Sequence, residues 1–401
     1  MRKLVGVLVF AVLAGRLAYA QDDFPAVRVA EAVKDSVVSV DVNSLAYSEI
    51  AGPLGREVSR MQRLLTRRLT GFVLGPKGYI VTDYEGLEEA SMITVHLSDG
   101  TELDGEVVGF DADYGVGVIK VISPKPLKPV KLLETRYDPV KEVFPFDQGD
   151  SVIAIGYSGG LGGTVTYGII SAVRNLRNRS YVLIPNVIQA DVAINDGNQG
   201  CPLFNDQGQV IAFHDRRGGG GSMQNTTFFL PIWLVKRVAT EIIGNYESKK
   251  PVEDFKVWHP WLGIKTFSGT RSPLTGGVRE VGDDLKMYMD IPDQYWDVGI
   301  LLDQVWVDAP ASQYGLRDHD MLVSLEVRGK DEKVKVPYML LKDIETLELL
   351  VTTADEGDIF VFGVIRNRKL LSVEVVIGQH PESFSFFSAT SMQMEVSSQY
   401  F

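Results

Sequence analysis

The sequence of 401 residues holds one cysteine, Cys201, which excludes an internal disulfide and a thiolate metal cluster. Its five histidines, His96, His214, His259, His319 and His380, are scattered without ligand-like spacing, so neither a metal nor a cofactor is expected. Positive charge is in deficit. The formal net charge of -12 argues against nucleic acid as a partner, because an acidic surface repels phosphate. Beyond the first 20 residues, no segment is apolar for long enough to cross a bilayer. What is present, 45% hydrophobic and 23% charged residues, is ordinary for a folded protein, and the length fits two or three domains.

The N-terminus "MRKLVGVLVFAVLAGRLAYA" starts with Arg2 and Lys3 and runs apolar from Leu4 to Ala14. Small residues at Ala18 and Ala20 precede Gln21, the layout of a secretory signal peptide over residues 1–20. Export to the periplasm or cell envelope is expected. An uncleaved interfacial anchor is the alternative, which Arg16 keeps open.

From Arg68 to about Pro231, short runs rich in β-branched and aromatic residues alternate with glycine and aspartate turns every 8 to 12 residues, which predicts an antiparallel barrel or sandwich. A helix is expected at Trp233 to Ile243, and the polar residues 244–258 read as a linker. Residues 259–378 mix strand and helix patterns, with Asp343 capping a helix whose Ile344, Leu347, Leu350 and Val351 share a face. Residues 379–401 are Ser-rich at their end and read as a flexible tail. Residues 53–69 place Leu54, Val58, Met61 and Leu65 at helical spacing among five arginines. They predict a basic amphipathic helix that meets a partner or an anionic membrane, or packs on its own barrel. "GGGGS" at 218–222 reads as a loop tip, and "GGLGG" at 159–163 lacks the lysine or acid of a nucleotide loop.

Five segments carry a resemblance: "GFVLGPKGYIVTDYEG", "VVGFDADYGVGVIKV", "GDSVIAIGYSGGLGGTVTYGIISAVRN", "IQADVAINDGNQGCPLFNDQGQVIAF", and "WLGI" followed by "VWVDAPASQYGLRDHDMLVSLEVRG". In order and spacing the chain resembles the HtrA (Deg) family of exported serine proteases. The resemblance implies a mainly β chain, with a chymotrypsin-like double β-barrel over 21–243 and one PDZ domain over 259–378. It places the family's catalytic histidine at Glu85, its aspartate at Gly115 and its serine at Gln199. Acyl transfer needs a hydroxyl nucleophile, an imidazole to move its proton and a carboxylate to hold that imidazole, and Gln199, Glu85 and Gly115 leave all three roles vacant. The expected catalytic set is therefore none, and the expected protein is not an enzyme but a pseudoprotease. It would bind peptides or unfolded proteins as a holdase, an adaptor or a regulator of an active HtrA protease.

Two alternatives stay open: an endopeptidase with a rewired centre, and a structural scaffold. The rewired centre would use Cys201 with His214, or carboxylates among Asp83, Glu85 and Asp196. Gly197 and Gly200 suit the tight turn of an oxyanion hole, which the Gln199 side chain is long enough to fill. For the PDZ domain the resemblance implies a carboxylate-binding loop of Trp261, Leu262, Gly263 and Ile264, faced by Ile344, Leu347 and Val351. Ile344 and Val351 suit the domain's core equally well. His319 precedes Asp320 where the family has glycine. The implied partners are C-terminal peptides, misfolded proteins and an active paralogue, in a homo- or hetero-trimer.

Overall fold

The computed structural model describes residues 24–51, 58–134, 145–157, 163–177, 183–214, 225–248, 257–266, 298–380 and 385–386. The expected signal peptide, the GGGGS tip, and most of the GGLGG stretch, the linker and the tail lie outside these residues. The first element, α1 (Pro25–Val33), begins on a proline whose fixed φ suits a first helical turn, and it buries Ala26, Val29 and Val33.

Six antiparallel strands close the first barrel: β1 (Val37–Ala51), β2 (Val58–Val73), β3 (Tyr79–Asp83), β4 (Ala90–His96), β5 (Glu102–Asp111) and β6 (Val116–Val121). They follow the order β5-β4-β1-β2-β3-β6, and the pairing of β5 with β6 removes the open edge. A short β7 (Lys131–Leu132) crosses to the second barrel. That barrel consists of β8 (Ser151–Gly156), β9 (Thr164–Arg177), β10 (Leu183–Ala190), β11 (Pro202–Phe204), β12 (Gln209–His214) and β13 (Thr227–Pro231), closed by β11 on β12.

The continuous apolar runs follow from burial on both faces. In β3, Ile80 fills the first barrel while Tyr79 and Val81 point into the core between the barrels. In β8, Val152 and Ala154 fill the second barrel while Ile153 and Ile155 join the same shared core. Helix α2 (Ile232–Glu247) covers that core with Leu234, Val235, Val238, Ala239 and Ile242. The double β-barrel expected from the sequence is the fold observed.

The third unit has β14 (Pro260–Trp261), β15 (Ile264–Thr266), β16 (Ile300–Val305), α3 (Pro310–Gln313), β17 (Met321–Arg328), β18 (Val334–Leu340), α4 (Ile344–Thr352), β19 (Ile359–Arg366), β20 (Lys369–Val376) and β21 (Gly378–Gln379). Its sheet runs β15-β16-β17-β19-β20, with β18 also on β17, around a core that includes Leu302, Leu325, Phe360 and Phe362. Asp343 caps α4 by accepting a bond from the Thr346 backbone N–H at 2.7 Å. A last strand, β22 (Ser385–Phe386), pairs with Asp111 and Phe110 at the edge of the first barrel.

One expectation is corrected. The predicted basic amphipathic helix over 53–69 is strand from Val58 onward, paired with β1 through fifteen residues from Val37↔Phe72 to Ala51↔Val58. Pairing satisfies the backbone along the whole hairpin and overrides the helical periodicity. The arginines find partners across the sheet instead: Arg68 grips Asp41 with two bonds of 2.7 and 3.0 Å, and Arg67 lies 3.1 Å from Glu85.

The third unit is tied to the first barrel by a buried imidazole. His259 Nε2 lies 2.7 Å from Asp111 Oδ2, and its ring stacks on Tyr114 with centroids 4.6 Å apart. Burial pushes the Tyr114 hydroxyl up to about 12, so it stays neutral there. Next to this contact, the Trp258 N–H donates to Glu241 of α2, whose carboxyl burial also pushes up. Replacing His259 with Ala strands the buried Asp111 carboxylate and is expected to cost about 2–4 kcal/mol. Denaturant titration of both proteins checks it; a loss below about 0.5 kcal/mol would show that the contact carries no stability.

Candidate functional site

The turn at residues 195–201 is bound on several sides. Asn198 N–H donates to Asn195 O at 3.0 Å and Cys201 N–H to Asn198 O at 3.0 Å. Thr70 of β2, fully buried, donates its N–H to Gln199 O at 2.8 Å and its hydroxyl to Gly197 O at 2.7 Å. Gly200, at φ +83°, sits so close to β2 and β3 that a Cβ would lie 2.3 Å from Thr70 O and 2.7 Å from Asp83 N. Only glycine fits there.

Glu85 and Gly115 come to the same end of the first barrel. Tyr84 N–H reaches Gly115 O at 3.4 Å, and Glu85 N–H donates to Asp83 Oδ1 at 2.8 Å. Gly115 takes φ +70° in the β5–β6 turn. Asp83 is buried beneath, whereas Glu85 is partly exposed and paired with Arg67. The Gln199 side chain turns back on its own loop. Its Oε1 accepts from Gly197 N–H at 2.8 Å, and its Nε2 makes a long 3.4 Å contact with Asp196 Oδ1. Positions 85 and 115 thus meet at one end of the first barrel, and the turn that carries Gln199 packs on β2 and β3 beside Asp83.

Cys201 and His214 are neighbours through backbone, His214 N–H donating to Cys201 O at 2.9 Å. The thiol is fully buried, and burial pushes its pKa well above the ordinary thiol value. Such a thiol carries almost no thiolate at neutral pH, which removes Cys201 as a nucleophile. The His214 ring meets Phe229 edge-on at 5.6 Å. Asp113 is committed to the domain junction, its Oδ2 3.9 Å from His259 Nδ1.

The seven residues expected around the carboxylate-binding loop all line one cavity of about 400 Å³. Trp261, Leu262, Gly263 and Ile264 form its floor and β15 edge, and Ile344, Leu347 and Val351 form the α4 wall. Ile344 and Val351 do both things allowed to them: they line this groove and pack on the domain core. Gly263 takes φ +74°, and a Cβ there would lie 2.1 Å from the Ala309 Cβ. Gly263 is buried, and its carbonyl accepts from Trp306 N–H at 3.0 Å while Leu262 O accepts from Ala311 N–H at 2.9 Å, which fixes the loop at the groove.

Sequence reasoning missed that the second barrel completes this groove. Arg177 and Leu183 line it; Arg177 pairs with Glu348 of α4, and Asn175 donates to Glu345 at 3.2 Å. No local pattern marks β9 and β10 as neighbours of a helix 170 residues away.

A model of the trypsin-like peptidase domain matches residues 69–213. The putative serine protease HhoB of Synechocystis sp. is 31% identical over 386 residues, which cover 90% of this chain and 82% of that protein. A probable periplasmic serine endoprotease, DegP-like, of Pseudomonas putida is 33% identical over 319 residues, covering 78% of this chain and 56% of that one. The chain thus spans little more than half the length of the DegP-like relatives it matches. Among solved structures, a variant of the HtrA-type protease AlgW with a decapeptide superposes with a TM-score of 0.63 at 25% identity, over 88% of this chain and 98% of that one.

These findings overturn the expectation of a protein that is not an enzyme. That expectation rested on the side chains at 85, 115 and 199 alone, while relatives matching along most of the chain are named serine proteases and endoproteases. For the thiol, the geometry makes a separate forecast. Native protein at pH 8 is expected to react with an alkylating reagent at Cys201 more slowly than unfolded protein by ~10²-fold or more. Comparable rates, followed by mass spectrometry, would return Cys201 to the list of nucleophiles.

Proposed function

Because the chain belongs to the HtrA/DegP family of trypsin-like serine proteases, we propose that it is an exported endoprotease of the cell envelope that works without a Ser/His/Asp triad. It takes hold of polypeptides, misfolded ones among them, through the groove between β15 and α4. The groove, lined by Trp261, Leu262, Gly263 and Ile264 on one side and by Ile344, Leu347 and Val351 on the other, is the observation that carries the binding half of this reading. A chain end lies there as an added strand on β15, its carboxylate on the loop amides and its last side chain against Leu347 and Val351.

The chemistry follows from what the barrel cleft contains. With the thiol buried and no hydroxyl at 199, water is the attacking group and a carboxylate is its base. Paired carboxylates run this chemistry in aspartic proteases. One takes a proton from water as the oxygen adds to the carbonyl carbon, and the proton passes to the departing amine as the C–N bond breaks. Glu85 is nominated as that base: it is partly exposed and held by Arg67, whereas Asp83 is buried and the exposed Asp196 faces the Gln199 amide. The same reading makes the protein a trimer, with itself or with a related active subunit. Val165, Tyr167 and Ile169 alternate along one face of β9 and are all exposed, beside the exposed Phe24, which precedes α1, and Val27 of α1. This apolar face suits burial between subunits.

Three measurements test these statements. Purified protein is expected to cleave casein, and Glu85→Gln to cut the rate by about 10²-fold or more; a variant as fast as the parent removes Glu85 from the chemistry. Ile344→Lys is expected to weaken binding of a synthetic pentapeptide ending in phenylalanine by about tenfold or more, measured by fluorescence anisotropy. An unchanged affinity would place peptide binding elsewhere. Tyr167→Arg is expected to yield monomers in analytical ultracentrifugation where the parent sediments as a trimer, and a monomeric parent would contradict the assembly.

A further inference from the structure

The chain leaves the third unit by a path that returns to the first barrel. β21 pairs with β14, Gln379 opposite Pro260 and Gly378 opposite Trp261. His380 N–H then donates to His259 O at 2.9 Å. The Gln379 carboxamide accepts from His259 N–H at 3.1 Å and donates to Val257 O at 2.9 Å. The exit of the unit is thus fastened to its entry, and the entry carries the imidazole that holds Asp111. After four further residues the chain forms β22, with Ser385 opposite Asp111 and Phe386 opposite Phe110.

The place where β22 lands is an open strand edge. Phe110 and Asp111 already pair with Gly117 and Val116 of β6 on one side. β22 therefore lies on the other side of β5, the edge that β4 takes only along Glu102–Gly105. Beyond Gly105, β22 is the one strand among the described residues on that edge, and an unpaired edge is a template for an added strand. The segment that supplies it reads "SFSF" at 383–386, the two-residue alternation of a strand with one apolar face.

We propose that the outer edge of β5 at Phe110–Asp111 is a strand-addition site whose ligand is this chain's own C-terminal segment, and that this segment clasps the third unit to the first barrel. Asp111 is then gripped twice, its carboxylate by His259 and its main chain by Ser385. A ladder of two residues is marginal by itself. Tethering makes it a clasp. The five steps from His380 to Ser385 reach at most about 17 Å, and His380 is fixed on the same His259 that holds Asp111. β22 is therefore delivered to its edge at high effective concentration. The strand and the imidazole act in parallel, so the joint opens only when both let go. While it is closed, α4 stays against the second barrel, where Arg177 meets Glu348.

Hydrogen exchange of the full-length protein, followed by mass spectrometry without peptide or casein, reads this joint apart from binding and cleavage. Ser385→Pro combined with Phe386→Pro removes the ladder donors. A second variant keeps every residue of both strands and inserts about twenty Gly/Ser residues after Pro381, which dilutes the tethered strand about tenfold. The reporters are Phe110–Asp111 for the strand and Trp258, whose N–H donates to Glu241 of α2, for the docking. Exchange at both is expected to rise about tenfold in the insertion variant and further in the proline variant, with β12 of the second barrel unchanged. Parent rates at Phe110–Asp111 in both variants overturn the strand-addition site. Faster exchange there with a parent rate at Trp258 overturns the clasp. If the proline variant also exposes β12, the insertion variant decides by the same two readings.

Discussion

Thr70 is the contact on which the arrangement of this molecule turns. It belongs to β2 of the first barrel, yet its N–H and hydroxyl hold Gln199 O and Gly197 O of the second. Its hydroxyl also accepts from Tyr157 N–H at the end of β8, and its carbonyl accepts from the Thr82 hydroxyl of β3. All of this is dry, where a lost hydrogen bond costs about 1–3 kcal/mol. The barrels are therefore registered against each other at the turn that carries Gln199.

That rigidity separates scaffold from chemistry. The turn, the glycines and the shared core hold a protease body in form, and the family to which the chain belongs is one of endoproteases. The side chains at 85, 115 and 199 are not Ser, His and Asp. A buried thiol and a glutamine folded onto its own loop are the features on which the proposed use of a carboxylate and water rests. The groove between β15 and α4 is likewise composite, with Arg177 of the second barrel closing a wall that β15 and α4 begin.

Much of this was legible in the residues. Strands such as β3 and β8 announce themselves because both faces are buried and a run of apolar residues, Tyr79–Val81 and Val152–Ile155, replaces alternation. Asp343 signals its helix because a capping carboxylate acts on the next few residues. The loop Trp261–Ile264 and its α4 wall come from a motif whose parts are local. What failed was the helix expected over 53–69, where helical spacing of a few apolar residues is weaker than fifteen paired positions between β1 and β2. Tertiary partners lay beyond reach for a plain reason: His259 with Asp111, and Arg177 with Glu348, join residues 148 and 171 positions apart with no periodic trace. The error about enzymatic activity had another source. Reading a reaction from the identity of three side chains assumes that the family's chemistry is the only one its body can house.

The most direct test of the whole account is to incubate the full chain with labelled casein and a fluorophosphonate probe side by side. The account predicts new casein fragments together with no covalent adduct on the protein, because water and not a side-chain hydroxyl attacks the carbonyl. A fluorophosphonate adduct, or intact casein after prolonged incubation with folded protein, would contradict it.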